Sequence, residues 1–133
     1  MKRMTILILI ITLFSLKAFC PSERVLYIER QQGISLYDDL IRAVVHVESR
    51  GDVWAFNFVE QACGPFQIRP IRIEHYNRLT GKNYKPWDCF DYDISREVFL
   101  YFCKNRSYER VAKSWNGSGP MTVKYWNRVK ANL

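Results

Sequence analysis

The sequence lacks the markers of several large functional classes. It has only two histidines, His46 and His75, and its four cysteines include no Cys-x-x-Cys and no Cys/His spacing suited to zinc, so no metal or cofactor is expected. No run of Lys and Arg interleaved with aromatics occurs, which argues against a nucleic-acid partner. No internal repeat or low-complexity tract occurs, and the six glycines and five prolines form no linker. The longest apolar run falls short of the roughly 18 residues that a membrane-spanning helix needs.

What is present fits one compact domain behind an export segment. The chain has 133 residues, of which 48% are hydrophobic, enough for a real core. Met1-Lys2-Arg3 is a positive n-region and Thr5 to Leu16 an apolar h-region, closed by Lys17. Residues 1–20 therefore read as a signal peptide and residues 21–133 as the mature domain, exported to the periplasm or cell envelope. Cleavage after Ala18 is one outcome. Lipidation of Cys20, the sole route to membrane attachment, is the other, although Phe19 and Lys17 fit that processing pattern poorly. The formal net charge is +7; without Lys2, Arg3 and Lys17 it is +4, a mild attraction toward anionic polymers. Export permits disulfides, and without Cys20 the remaining Cys63, Cys89 and Cys103 leave one pair and one odd thiol, with connectivity open. The two histidines stand alone and read as ordinary side chains.

In chain order, Pro21 to Gly33 has modest helical potential as a leader. Leu36 to Ser49 is an amphipathic helix, with Ser35 as N-cap, Asp38 and Asp39 in its first turn, and Gly51 as its stop. Val53 to Ile68 is rich in β-branched and aromatic residues and reads as a small irregular hairpin. Pro70 opens a helix over Ile71 to Leu79, with Gly81 past its end. A loop follows, then a helix capped by Asp93 or Ser95 and running through Lys104, a shorter one over Tyr108 to Trp115, and a last one over Met121 to Ala131 with Val123, Trp126 and Val129 on one side. The fold class is α+β, mostly α. Most of the aromatics, Trp54, Trp87 and Trp126 among them, are expected in the core.

Glu48 is the residue around which the chemistry gathers. It lies at the edge of the apolar stripe made by Leu40, Ile41, Val44 and Val47, where desolvation raises the pKa of a carboxyl and keeps it protonated for general-acid work. Two further stretches accompany Glu48-Ser49: Gly64-Pro65-Phe66-Gln67-Ile68-Arg69-Pro70, and Trp115-Asn116-Gly117-Ser118-Gly119-Pro120 before the last helix.

In this order and spacing the three stretches resemble the soluble lytic transglycosylases of the lysozyme-like superfamily, over roughly Leu36 to Val129. Their pattern is a Glu-Ser pair, then Gly-Leu-Met-Gln with a following proline, then an Ala-Tyr-Asn-Ala-Gly-Pro type of turn. Pro65-Phe66 stands here for Leu-Met and Trp115 for Tyr. The resemblance implies a lysozyme-like domain with a small β-like segment beside a cleft, acting on peptidoglycan glycan strands. It implies Glu48 as the single catalytic acid/base, Ser49 supporting substrate or acid, and Gln67, Phe66, Trp115 and Asn116 as substrate contacts. Glu48 would protonate the leaving oxygen of the MurNAc-β-1,4-GlcNAc bond and then take the proton of the C6 hydroxyl as a 1,6-anhydro ring closes, with the acetamido group assisting. Gly64 and Gly117 serve close approach to sugar or tight turns. Two rivals stay open: a lysozyme using Asp52 or Glu60 as second carboxylate, and a catalytically silent glycan-binding or secretion-scaffold protein. Wall turnover, a secretion or conjugation apparatus, and a phage are all open as its setting.

Overall fold

In the computed structural model, residues 36–133 are described. The expected export segment, Cys20, the expected leader over Pro21 to Gly33 and the expected Ser35 cap lie outside the described residues. The rest forms five α-helices and one two-stranded sheet, an α+β, mostly α fold.

Helix α1 spans Asp38–Ser49 and buries Leu40, Ile41, Ala43 and Val44, the face that its apolar spacing marks out. It begins two residues later than Leu36, after Tyr37, whose side chain makes no capping bond. That hydroxyl instead donates to the Cys103 carbonyl at 2.7 Å, tying the helix start to a residue 66 positions further along the chain. The helix ends at Arg50, one residue before the expected Gly51. Arg50 takes the left-handed conformation at φ 56° and its N–H closes on the His46 carbonyl.

The hairpin pairs β1, Phe56–Asn57, with β2, Ala62–Cys63, antiparallel, Phe56 opposite Cys63 and Asn57 opposite Ala62. A further bridge between Cys63 and Ile68 turns the chain back, with Gln67 at φ 49°. Helix α2, Pro70–Thr80, starts on proline and ends on Gly81 at φ 73°, as expected. The segment read as a plain loop contains a 3-10 turn, Pro86–Phe90, because the Asp88 carboxylate accepts the Lys85 N–H at 2.8 Å.

Helix α3, Tyr92–Cys103, is capped by neither Asp93 nor Ser95. The Asp91 carboxylate accepts from the N–H groups of Asp93 and Ile94 at 2.9 and 3.0 Å, so the helix starts earlier, and Ser95 is buried. Ser107 caps α4, Tyr108–Asn116. Helix α5, Met121–Lys130, is rotated relative to expectation: Thr122, Tyr125 and Val129 are buried, while Val123 is exposed. The reason is its seat between α4 and α1, which draws Tyr125 inward.

Phe66 and Phe99 stack at 4.9 Å in the core, and Trp115 meets Phe99 edge-on at 4.8 Å. Each fully buried side chain of this size contributes about 1.5–3 kcal/mol. Trp54 and Trp87 are exposed rather than core. Cys63, Cys89 and Cys103 are free and buried, so the pair left open by the sequence is not formed. Burial pushes the Cys89 and Cys103 thiols up to about 12, leaving them unreactive near neutral pH.

Candidate functional site

Glu48 sits half-buried in the last turn of α1, at the edge that the spacing indicates. Its carboxylate Oε1 accepts the Tyr125 hydroxyl at 2.7 Å, a bond that joins α5 to α1. Burial raises the Glu48 pKa above the ordinary carboxylate range; the Tyr125 hydrogen bond and the positive charges of Arg128 and Arg69 pull against that shift without reversing it. Burial and the facing Glu48 charge in turn raise Tyr125, so the phenol stays a neutral donor.

Glu48 opens onto a polar cleft of about 330 Å³. The cleft brings together five of the residues marked from sequence: Glu48, Glu60, Gln67, Trp115 and Asn116. Gln67 has its amide N–H groups committed, donating to the Ala55 and Gly64 carbonyls at 3.1 and 3.0 Å, so it holds the hairpin and faces the cleft at once. Asn116, the last residue of α4, lines the cleft with no side-chain hydrogen bond among the described residues, and its amide is available to a ligand.

Two expected substrate contacts need correction, Phe66 and Ser49. Phe66 is 0% exposed, stacked on Phe99, and cannot touch a ligand through its ring; only its carbonyl matters, accepting the Trp115 indole N–H at 3.2 Å. Trp115 does line the cleft, but it is only 6% exposed and the Arg72 guanidinium lies over its ring. Ser49 does not line the cleft: its hydroxyl lies 3.1 Å from the Val45 carbonyl and 3.0 Å from that of Pro65, locking the helix end to the Gly64-Pro65 turn. It holds the end of the helix that carries Glu48 against that turn. Of the two roles expected for Gly64, the tight turn is the one its geometry explains. A Cβ there would lie 1.9 Å from the Cys89 carbonyl oxygen, so the glycine lets the hairpin close on the 3-10 turn.

Apart from Glu60, which the sequence marks as a candidate second carboxylate, sequence reasoning missed the rest of the wall. Arg69, Arg72 and Arg128 line the cleft with Asn57 and Glu60. Arg72 lies 4.2 Å from the centre of the Trp115 ring and donates to the Trp115 carbonyl at 3.1 Å; Arg128 donates to the Val47 carbonyl at 3.2 Å. Glu60 is held by Arg69 in a two-point ion pair, 2.7 and 3.1 Å. Asp52, the other candidate second carboxylate, is exposed outside the cleft and accepts the Trp54 N–H at 2.9 Å. Tyr125 and Arg128, spaced i and i+3 on the last helix, were the available signal for a second functional face. Among the described residues no group of three or more His, Cys, Asp and Glu side chains is placed to hold a metal ion.

The chemical capacity of this arrangement is proton exchange at one carboxyl beside a polar groove. Tyr125→Phe tests it. Losing the hydroxyl removes an interaction that lowers the Glu48 pKa, so the basic limb of a general-acid pH–rate profile moves to higher pH, with turnover down about tenfold. An unchanged profile and rate would show that the Tyr125 bond is only structural. The chain matches no family model, no curated protein and no solved structure.

Proposed function

We propose that the domain is a peptidoglycan lytic transglycosylase of the lysozyme-like superfamily, cleaving the MurNAc-β-1,4-GlcNAc bond with formation of a 1,6-anhydro end. The observation that carries this reading is a single half-buried carboxyl, Glu48, with a raised pKa and an oriented Tyr125 donor, facing a polar cleft with the Gln67 and Asn116 amides. Glu48 protonates the leaving oxygen. As carboxylate it then accepts the C6 hydroxyl proton while that oxygen closes on C1, and the positive charge developing on the sugar is met by the same carboxylate. The protein acts in the cell envelope after export, and glycan strands are its substrate.

A hydrolase reading is favoured by one observation, that Glu60 shares the cleft. Its carboxylate is engaged at both oxygens by Arg69, which disfavours activating water. Turbidity of purified sacculi tests the reading: the wild-type domain should clear them, and intact sacculi with bound protein would support the silent glycan-binding alternative. Asn116→Ala should lower clearing about tenfold at unchanged melting temperature. Gln67→Ala should lower both, because its amide also holds two hairpin carbonyls, a loss of about 1–3 kcal/mol.

A further inference from the structure

The cleft does not end at Arg72. A second cavity of about 240 Å³ adjoins it, lined by Arg69, Ile71, Arg72, His75 and Arg78, and shares Arg69 and Arg72 with the cleft. Residues 69, 72, 75 and 78 recur every third position, so the start and one flank of α2 carry a basic stripe leading away from Glu48. Among the described residues no carboxylate lines this groove. Arg72 and Arg78 make no ion pair among the described residues, while Arg69 is matched by Glu60. Arg69 and Arg72 repel each other, one of the causes that lower the Arg72 pKa after burial. Holding these like charges together opposes folding, and an anion in the groove would relieve it. The wall also includes Ile71, 72% exposed, which gives the groove an apolar side.

These features select a ligand that carries several carboxylates and some aliphatic surface, and that is continuous with whatever occupies the cleft. We propose that the groove binds the carboxylate-bearing peptide branch of the glycan, with Arg72, His75 and Arg78 reading the peptide beside the cleaved bond. This rests on the transglycosylase reading. From residue 72 to residue 78 the helix advances roughly 9 Å, the span of about three extended peptide residues. Guanidinium groups match carboxylates in a two-point geometry, and Ile71 can pack against the methyl groups of small residues in the branch, which a phosphate polymer does not offer.

The test compares glycan strands that carry their peptides with strands stripped of them by an amidase. Wild type should show a KM about fivefold lower for the peptide-bearing strands, a preference that fades as salt is raised. Arg78→Glu should erase that ratio with the same melting temperature and kcat. A ratio equal in both proteins would overturn the proposal. Calorimetric titration with a soluble disaccharide, with and without its peptide, decides the matter even if wild type cleaves no strand, an outcome that would contradict the transglycosylase reading instead. Tighter binding of the peptide form, weakened when its carboxylates are amidated, supports the groove. Equal affinity for the two disaccharides, or a preference for a phosphate-rich wall polymer over both, overturns it.

Discussion

Glu48→Gln should cut sacculus clearing by about 10²–10⁴-fold or more while making the domain melt higher at neutral pH. The amide keeps the size of the carboxyl and still accepts the Tyr125 hydroxyl, but it cannot carry a proton between the leaving oxygen and the C6 hydroxyl. The stability change follows from the direction of the pKa shift. Burial holds the Glu48 pKa above its unfolded value, so the native state binds the proton more tightly, and wild-type stability falls as pH rises through the folded pKa. Glutamine has no such loss. The variant should therefore melt above wild type at pH 7–8 and lose that advantage below the ordinary carboxylate range. Differential scanning calorimetry across pH beside a turbidity assay measures both. A variant that retains most clearing would remove Glu48 from the mechanism, and one that melts lower at pH 8 would show that its charge is stabilising.

Among the described glycines, Gly64 should tolerate alanine least. A methyl group would lie 1.9 Å from the Cys89 carbonyl oxygen and 2.7 Å from its carbon, both backbone atoms that no side-chain rotation can clear. The position also has φ 76°, where any other residue is strained. The expected loss is about 3 kcal/mol or more, read as a drop in the denaturant midpoint. Because Gln67 and Ser49 both lean on this turn, any folded remainder should also clear sacculi poorly. By contrast, a methyl group at Gly117 would meet nothing within 4 Å, and alanine there carries only the cost of its positive φ. Equal melting of the Gly64→Ala variant and wild type would mean that the hairpin does not close on the 3-10 turn.

Local signals in the chain are enough to find the helices, because their starts and stops are written in single residues: Pro70 and Gly81 bracket α2, and apolar spacing places the buried face of α1. The hairpin is legible from its β-branched and aromatic content. Signals fail where several candidates compete over a few residues, as at α3, where Asp91 rather than Asp93 or Ser95 accepts the first free N–H groups. They also fail where burial depends on a neighbour. Phe66 and Trp115 belong to stretches that bracket the cleft, yet a stretch of sequence does not say which of its side chains turn inward; stacking on Phe99 takes Phe66 fully into the core. The acid itself was legible from helical phase. Its hydrogen-bond donor was not, because Tyr125 is 77 residues away and reaches Glu48 only once α5 has packed on α1. The arginines were unreadable for a similar reason: Arg69, Arg72 and Arg128 converge from the N-cap of α2, its first turn and the last turn of α5.

Mass analysis of the fragments released from purified sacculi tests the single-carboxyl mechanism most directly. With the muramic acid C6 hydroxyl held against C1 at high effective concentration, the products should end in 1,6-anhydro-muramic acid, each lighter by one water than a hydrolytic fragment and inert to borohydride. Glu60→Gln and Asp52→Asn should give the same products at rates within about tenfold of wild type. Fragments with reducible ends, together with a collapse of activity in Glu60→Gln, would contradict the mechanism and make Glu60 the second carboxylate of a hydrolase.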